Sequence, residues 1–154
     1  MRKTLPLLLT PLLLTACVKQ SGSYYVGEER NQTITVRAEQ EYAWDKKITL
    51  SLVVARLPDC QRAFAMDKVP LDDVAVELFS KSEGVFTIRS GAQVLQVELN
   101  NCSELPAPRQ EEMGEAVGIF RIGAQKEKLD FEPLPAPATA TPTVAPAAAA
   151  PPAR

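Results

Sequence analysis

The sequence predicts an all-β domain, antiparallel, folded as a small sandwich or a partly open barrel of about six strands. Three observations lead there. Ile34, Val36 and Ala38 alternate with Thr33, Thr35 and Arg37, and Ile48, Leu50, Leu52 and Val54 repeat the same period of two, which is the pattern of half-buried strands. Val85 to Arg89 and Ala92 to Leu99 flank Ser90-Gly91, the arrangement of a hairpin with a two-residue turn. Cys60 and Cys102 each follow directly on the end of an apolar alternation, so a bridge between them would tie two strand ends that are distant in sequence. The alternative is an α+β arrangement in which residues 61–73 or 107–116 supply a packed helix. Pro70 and the double Asp72-Asp73 argue that the first of these segments is mostly loop.

Residues 24–132 form the expected domain, about 110 residues and enough for one core but not two. The strand around Ile34 to Ala38 comes first. In the strand around Ile48 to Val54 the intervening positions change from Thr49 and Ser51 to Val53 and Ala55, so its far end is covered on both faces and it is expected to be central. A third strand carries Val74, Val76 and Leu78 on one face and ends in Ser80-Lys81-Ser82-Glu83-Gly84, a stretch rich in turn formers. A turn at Ser90-Gly91 pairs Phe86 with Leu95 and Thr87 with Val94, and then Phe86 and Ile88 share a face with Leu95 and Val97. Arg109 to Ala116 suits one or two helical turns, weakened by Gly114. A last short strand is expected at Val117 to Gly123.

The N-terminus has a different character. Arg2 and Lys3 precede an apolar run from Leu5 to Leu14, which is too short to span a bilayer as a helix, where about 20 residues are needed. Pro6 and Pro11 would each cost roughly 3 kcal/mol inside a helix, so this is not a core helix. A basic start, a brief apolar core and small residues make a secretory signal peptide, residues 1–16. Leu14-Thr15-Ala16-Cys17 resembles the lipobox of bacterial lipoproteins. The resemblance implies that Cys17 receives a diacylglycerol on its sulfur, becomes residue one of the mature chain, and is acylated on its new amine. Several acyl chains, at about 0.8 kcal/mol per buried methylene, hold far more firmly than one. In that family an aspartate after the cysteine favours retention at the inner membrane, and here Val18 follows. The expected location is therefore the outer membrane facing the periplasm, with the cell surface as the other option. Residues 17–23 are read as the lipidated linker.

Removing residues 1–16 takes two of the 17 basic residues and none of the 19 acidic ones, which leaves 15 against 19 and a formal charge of -4. Nucleic acid is not an expected partner, because its binding rests on clustered Lys and Arg. An exported chain meets oxidising conditions, and beyond Cys17 only Cys60 and Cys102 remain to pair. With no histidine in the chain, neither a Ser-His-Asp nor a Cys-His site can be built, and a zinc site has no imidazole. Ser80-Lys81-Ser82 is explained by turn chemistry. Asp59, Asp67, Asp72 and Asp73, and likewise Glu104, Glu111, Glu112 and Glu115, lack calcium-loop spacing and read as solvated carboxylates. No catalytic residue, metal or cofactor is expected. Residues 133–154 hold seven prolines and nine alanines with Arg154 the only charge, and are read as a disordered tail.

Tyr42 and Trp44 have the same strand parity. They either lie side by side and stack on a sugar ring or a partner's apolar group, or Trp44 begins the second strand and fills the core. The function expected is that of a lipid-anchored, non-catalytic accessory that binds or stabilises another envelope component, a protein or peptidoglycan. A ligand or glycan binder using Tyr42 and Trp44 is one alternative. An inhibitor of an envelope enzyme, presenting Cys60 to Asp73 as a loop, is another.

Overall fold

The computed structural model describes residues 19–28, 30–42, 44–122 and 128–135. These form ten strands: β1 (Lys19–Tyr25), β2 (Gln32–Glu39), β3 (Lys47–Arg56), β4 (Cys60–Pro70), β5 (Ala75–Ser82), β6 (Val85–Ser90), β7 (Gln93–Glu98), β8 (Ser103–Leu105), β9 (Glu115–Ile122) and β10 (Leu129–Pro133). One sheet has the order β1-β2-β3-β4 and the other β10-β9-β5-β6-β7-β8, with every pairing antiparallel. The fold is an open two-sheet arrangement around one core, to which β2, β3 and β4 contribute Ile34, Leu52 and Phe64 and β5, β6 and β9 contribute Leu78, Ile88 and Phe120. Among the described residues there is no α-helix, only 3-10 turns at Leu71–Asp73 and Gln110–Glu112. The all-β expectation therefore holds and its α+β alternative does not.

The two open edges are closed by different means. On one side, the Cys60–Cys102 disulfide links the start of β4 to the residue before β8, with a sequence separation of 42. On the other, β1 of the first sheet lies against β10 of the second. Gly22 makes that approach feasible: a Cβ there would sit 3.2 Å from the Leu129 carbonyl oxygen and 3.2 Å from the Phe120 ring. Phe131 packs beside it on both Phe120 and Tyr24, with centroids 4.8 and 4.9 Å away.

Several expectations need correction. Lys19 to Ser23, read as linker, belong to β1, which pairs with β2 through all seven of its residues. Residues 61–70, read as loop, are most of β4, an edge strand in which only Phe64 and Met66 are buried. Ala63 and Ala65 between them gave no polar contrast, so the alternation was faint. The segment 109–116 is not helical beyond one 3-10 turn, and β9 already begins at Glu115. In the hairpin, Ser90 pairs with Gln93, so the turn is Gly91-Ala92 and Phe86 faces Val97. Gly91 has φ +58 and occupies the first central position, where a type II′ turn needs a glycine. The partner moves by two positions, so the shared face of Phe86, Ile88, Leu95 and Val97 survives the correction. By contrast, the far end of β3 is covered on both faces as expected, with Leu52 to Ala55 all buried and β3 lying between β2 and β4.

Register also defines two ends of the molecule. Lys19 pairs with Glu39, and Lys47 with Pro70, so the start of β1, the β2–β3 loop and the 3-10 turn after β4 share one end. Tyr25 pairs with Thr33, and Arg56 with Cys60, which places the β1–β2 and β3–β4 connections and the disulfide at the other. A strand of ten residues at about 3.3 Å each separates them by roughly 30 Å.

Candidate functional site

Tyr42 and Trp44 lie in the β2–β3 loop and not in a strand, so parity is not what brings them together. Their rings are stacked, with centroids 5.3 Å apart and planes at 16°. Trp44 is 76% exposed and Tyr42 56%, which removes the reading of Trp44 as a core residue. The loop that presents them is tied down. Gln40, itself buried, donates from Nε2 to the Asp45 carbonyl at 2.7 Å, and the Asp45 N–H donates to the Tyr42 carbonyl at 3.0 Å. The Lys47 N–H donates to the Asp45 carboxylate at 3.0 Å, and the Leu71 N–H donates to the Lys46 carbonyl at 3.0 Å. Trp44, Leu71, Gln40, Asp45 and Asp72 thereby line one shallow depression of about 400 Å³.

The charges around this surface balance. Lys19 pairs with Glu39 at 3.5 Å and Lys68 with Glu41 at 3.3 Å. Lys46 and Lys47 stand among Asp45, Asp72 and Asp73 in the same region. Elsewhere, Arg89 is hydrogen-bonded to Glu77, which holds its guanidinium still more firmly in the charged form. Ser80 to Ser82 form the end of β5, and Glu83-Gly84 make the turn to β6. The first acidic group is dispersed, with Asp59 at the disulfide end, Asp67 in β4, and Asp72 and Asp73 in the opposite end's 3-10 turn; of the second, Glu104 is in β8, Glu111 and Glu112 are in the other 3-10 turn and Glu115 starts β9. Among the described residues no group of three or more Cys, Asp and Glu side chains is placed to hold a metal. No helix among them is long and apolar enough to cross a membrane.

Cys60 and Cys102 are bridged as the sequence predicts. Cys17, the signal peptide and the tail beyond Pro135 lie outside the described residues. The segment that an inhibitory loop would need, Cys60 to Asp73, is a paired strand followed by a 3-10 turn.

The large apolar side chains that remain exposed among the described residues fall into two sets. Tyr42, Trp44 and Leu71 belong to the Lys19 end, whereas Tyr25, Leu57 and Leu134 belong to the disulfide end. Leu57 donates its N–H to the Asn31 carbonyl and Leu134 donates its to Val117 just past β10, which fixes both in the fold. Only Tyr42 and Trp44 stood out in the sequence. Leu57 and Leu71 are isolated apolar residues beside a proline, and nothing local marks them; their grouping is a product of topology. Comparison with protein-family models, with curated proteins and with solved structures gives no match to this chain.

Proposed function

We propose that the protein is a lipid-anchored, non-catalytic module of the cell envelope that binds or stabilises another envelope component. Cys17 lies two residues before β1, so its lipid tethers the domain by the Lys19 end, with the outer membrane facing the periplasm as the favoured site. The observation that supports this reading is the split of exposed apolar side chains between opposite ends. A module held by one end has the other free to meet a partner, and Tyr25, Leu57 and Leu134 there suit a protein that offers an apolar anchor of its own. A photoreactive residue at position 57 in intact cells tests it. The expected outcome is one discrete envelope protein, captured equally by a chain stopped after Pro135 and lost when Tyr25 is changed to Lys. Capture that ignores the Tyr25→Lys change, or that yields only abundant bystanders, contradicts the reading; capture lost with the tail moves the contact to the Pro-Ala segment.

A further inference from the structure

We propose that Tyr42, Trp44 and Leu71 form a membrane-contact surface that lies in the headgroup layer of the same membrane that holds Cys17. The proposal rests on the lipid-anchored reading above and adds to it an orientation. Only Val18 separates Cys17 from Lys19, two residue steps and a reach of about 7 Å at full extension. Lys19 pairs directly with Glu39, the last residue before the aromatic loop. A lipid on Cys17 therefore brings this loop to the bilayer surface, and no other end of the domain can approach as closely. Tyrosine and tryptophan suit that boundary because each joins an apolar ring to a polar group that stays wet.

The loop's hydrogen bonds present the rings without further ordering, so little conformational entropy is lost on contact. With Lys19 and Lys68 in ion pairs and the neighbouring charges mixed in sign, the attraction is apolar and independent of anionic lipid. Three exposed side chains are too few for a free chain to bind a vesicle. Tethering changes this, because it turns the contact into an intramolecular event at high effective concentration. The strands then run away from the membrane, and the end with Tyr25, Leu57 and Leu134 stands roughly 30 Å above it.

Trp44 is the single tryptophan of the chain and reports on its own surroundings. The test uses the chain from Cys17 to Arg154 with its Cys17 thiol coupled to a maleimide phospholipid in phosphatidylcholine–phosphatidylethanolamine vesicles, the other cysteines being bridged. The expected result is emission moved to shorter wavelength, quenching by brominated acyl chains, loss of iodide quenching, and no reversal by high salt. Tyr42→Ser with Leu71→Ser should restore iodide access. Trp44 emission unchanged from that of the untethered chain, with full iodide access, overturns the proposal. So does quenching by soluble peptidoglycan sugars with no response to vesicles, which would give the surface to a glycan. A Cys17 that carries no lipid in cells, beside a shifted Trp44 in the coupled chain, would defeat the anchor and still support the aromatic contact.

Discussion

Replacing Cys60 and Cys102 together with alanine is expected to lower stability by about 4 kcal/mol, the loop-closure entropy that a bridge across 42 residues removes from the unfolded chain. For a domain of this size that is a fall in melting temperature of roughly 20 °C. Alanine is the appropriate replacement because Cys102 is buried and a serine would bury a hydroxyl beside the core. The loss has a location: the bridge joins the β4 and β8 edges, one of the two sides on which the separate sheets meet. Thermal unfolding of the double variant, followed by circular dichroism beside the oxidised parent, measures it. Coincident curves would show that the edge is held without the bridge, by packing and by hydrogen bonds such as those of Arg56 to Asn100 and of the Asp67 N–H to Gln93.

Phe120→Ala is expected to cost about 3–5 kcal/mol, the usual range for removing a fully buried aromatic ring. Phe120 packs on Phe131, and Gly22 of β1 lies directly against its ring. The cavity would therefore open at the contact between β1 and β10, the edge opposite the disulfide, where collapse is hindered by strands hydrogen-bonded within two different sheets. Denaturant unfolding gives the number. Amide exchange should rise first in β1 and β10, and uniform exchange across both sheets would contradict this placement of the ring.

How much of this was legible in the sequence follows from where each element sits. Strands with one face in the core announced themselves, because β2 and the first half of β3 alternate Thr and Ser with Ile, Val and Leu. Edge elements did not. β1 carries Lys19-Gln20-Ser21-Gly22-Ser23 and buries little but Gly22, so its strand character comes from pairing with β2 and from the close approach of β10. The three-residue β8 and the five-residue β10 are too short to show a period. The disulfide was readable because the N-terminus reads as an export signal with Cys17 as its lipidated residue, and that reading leaves Cys60 and Cys102 only each other to pair with. For the candidate site, Tyr42 and Trp44 do lie together, but strand parity is not the cause; a hydrogen-bonded loop is what stacks them. Leu71 joins them only because β4 returns alongside β3, a long-range fact with no local signature.

The same topology gives the protein its polarity, with the start of β1 at Lys19 and the aromatic loop at one end and a second apolar set at the other. That arrangement serves a tethered module only if the tether exists. Intact-mass analysis of the protein recovered from cell membranes is the most direct test. The expected result is a chain that begins at Cys17, with a diacylglycerol on its sulfur and an acyl group on its amine. A chain that still carries residues 1–16, or one that begins at Cys17 without lipid, would contradict it.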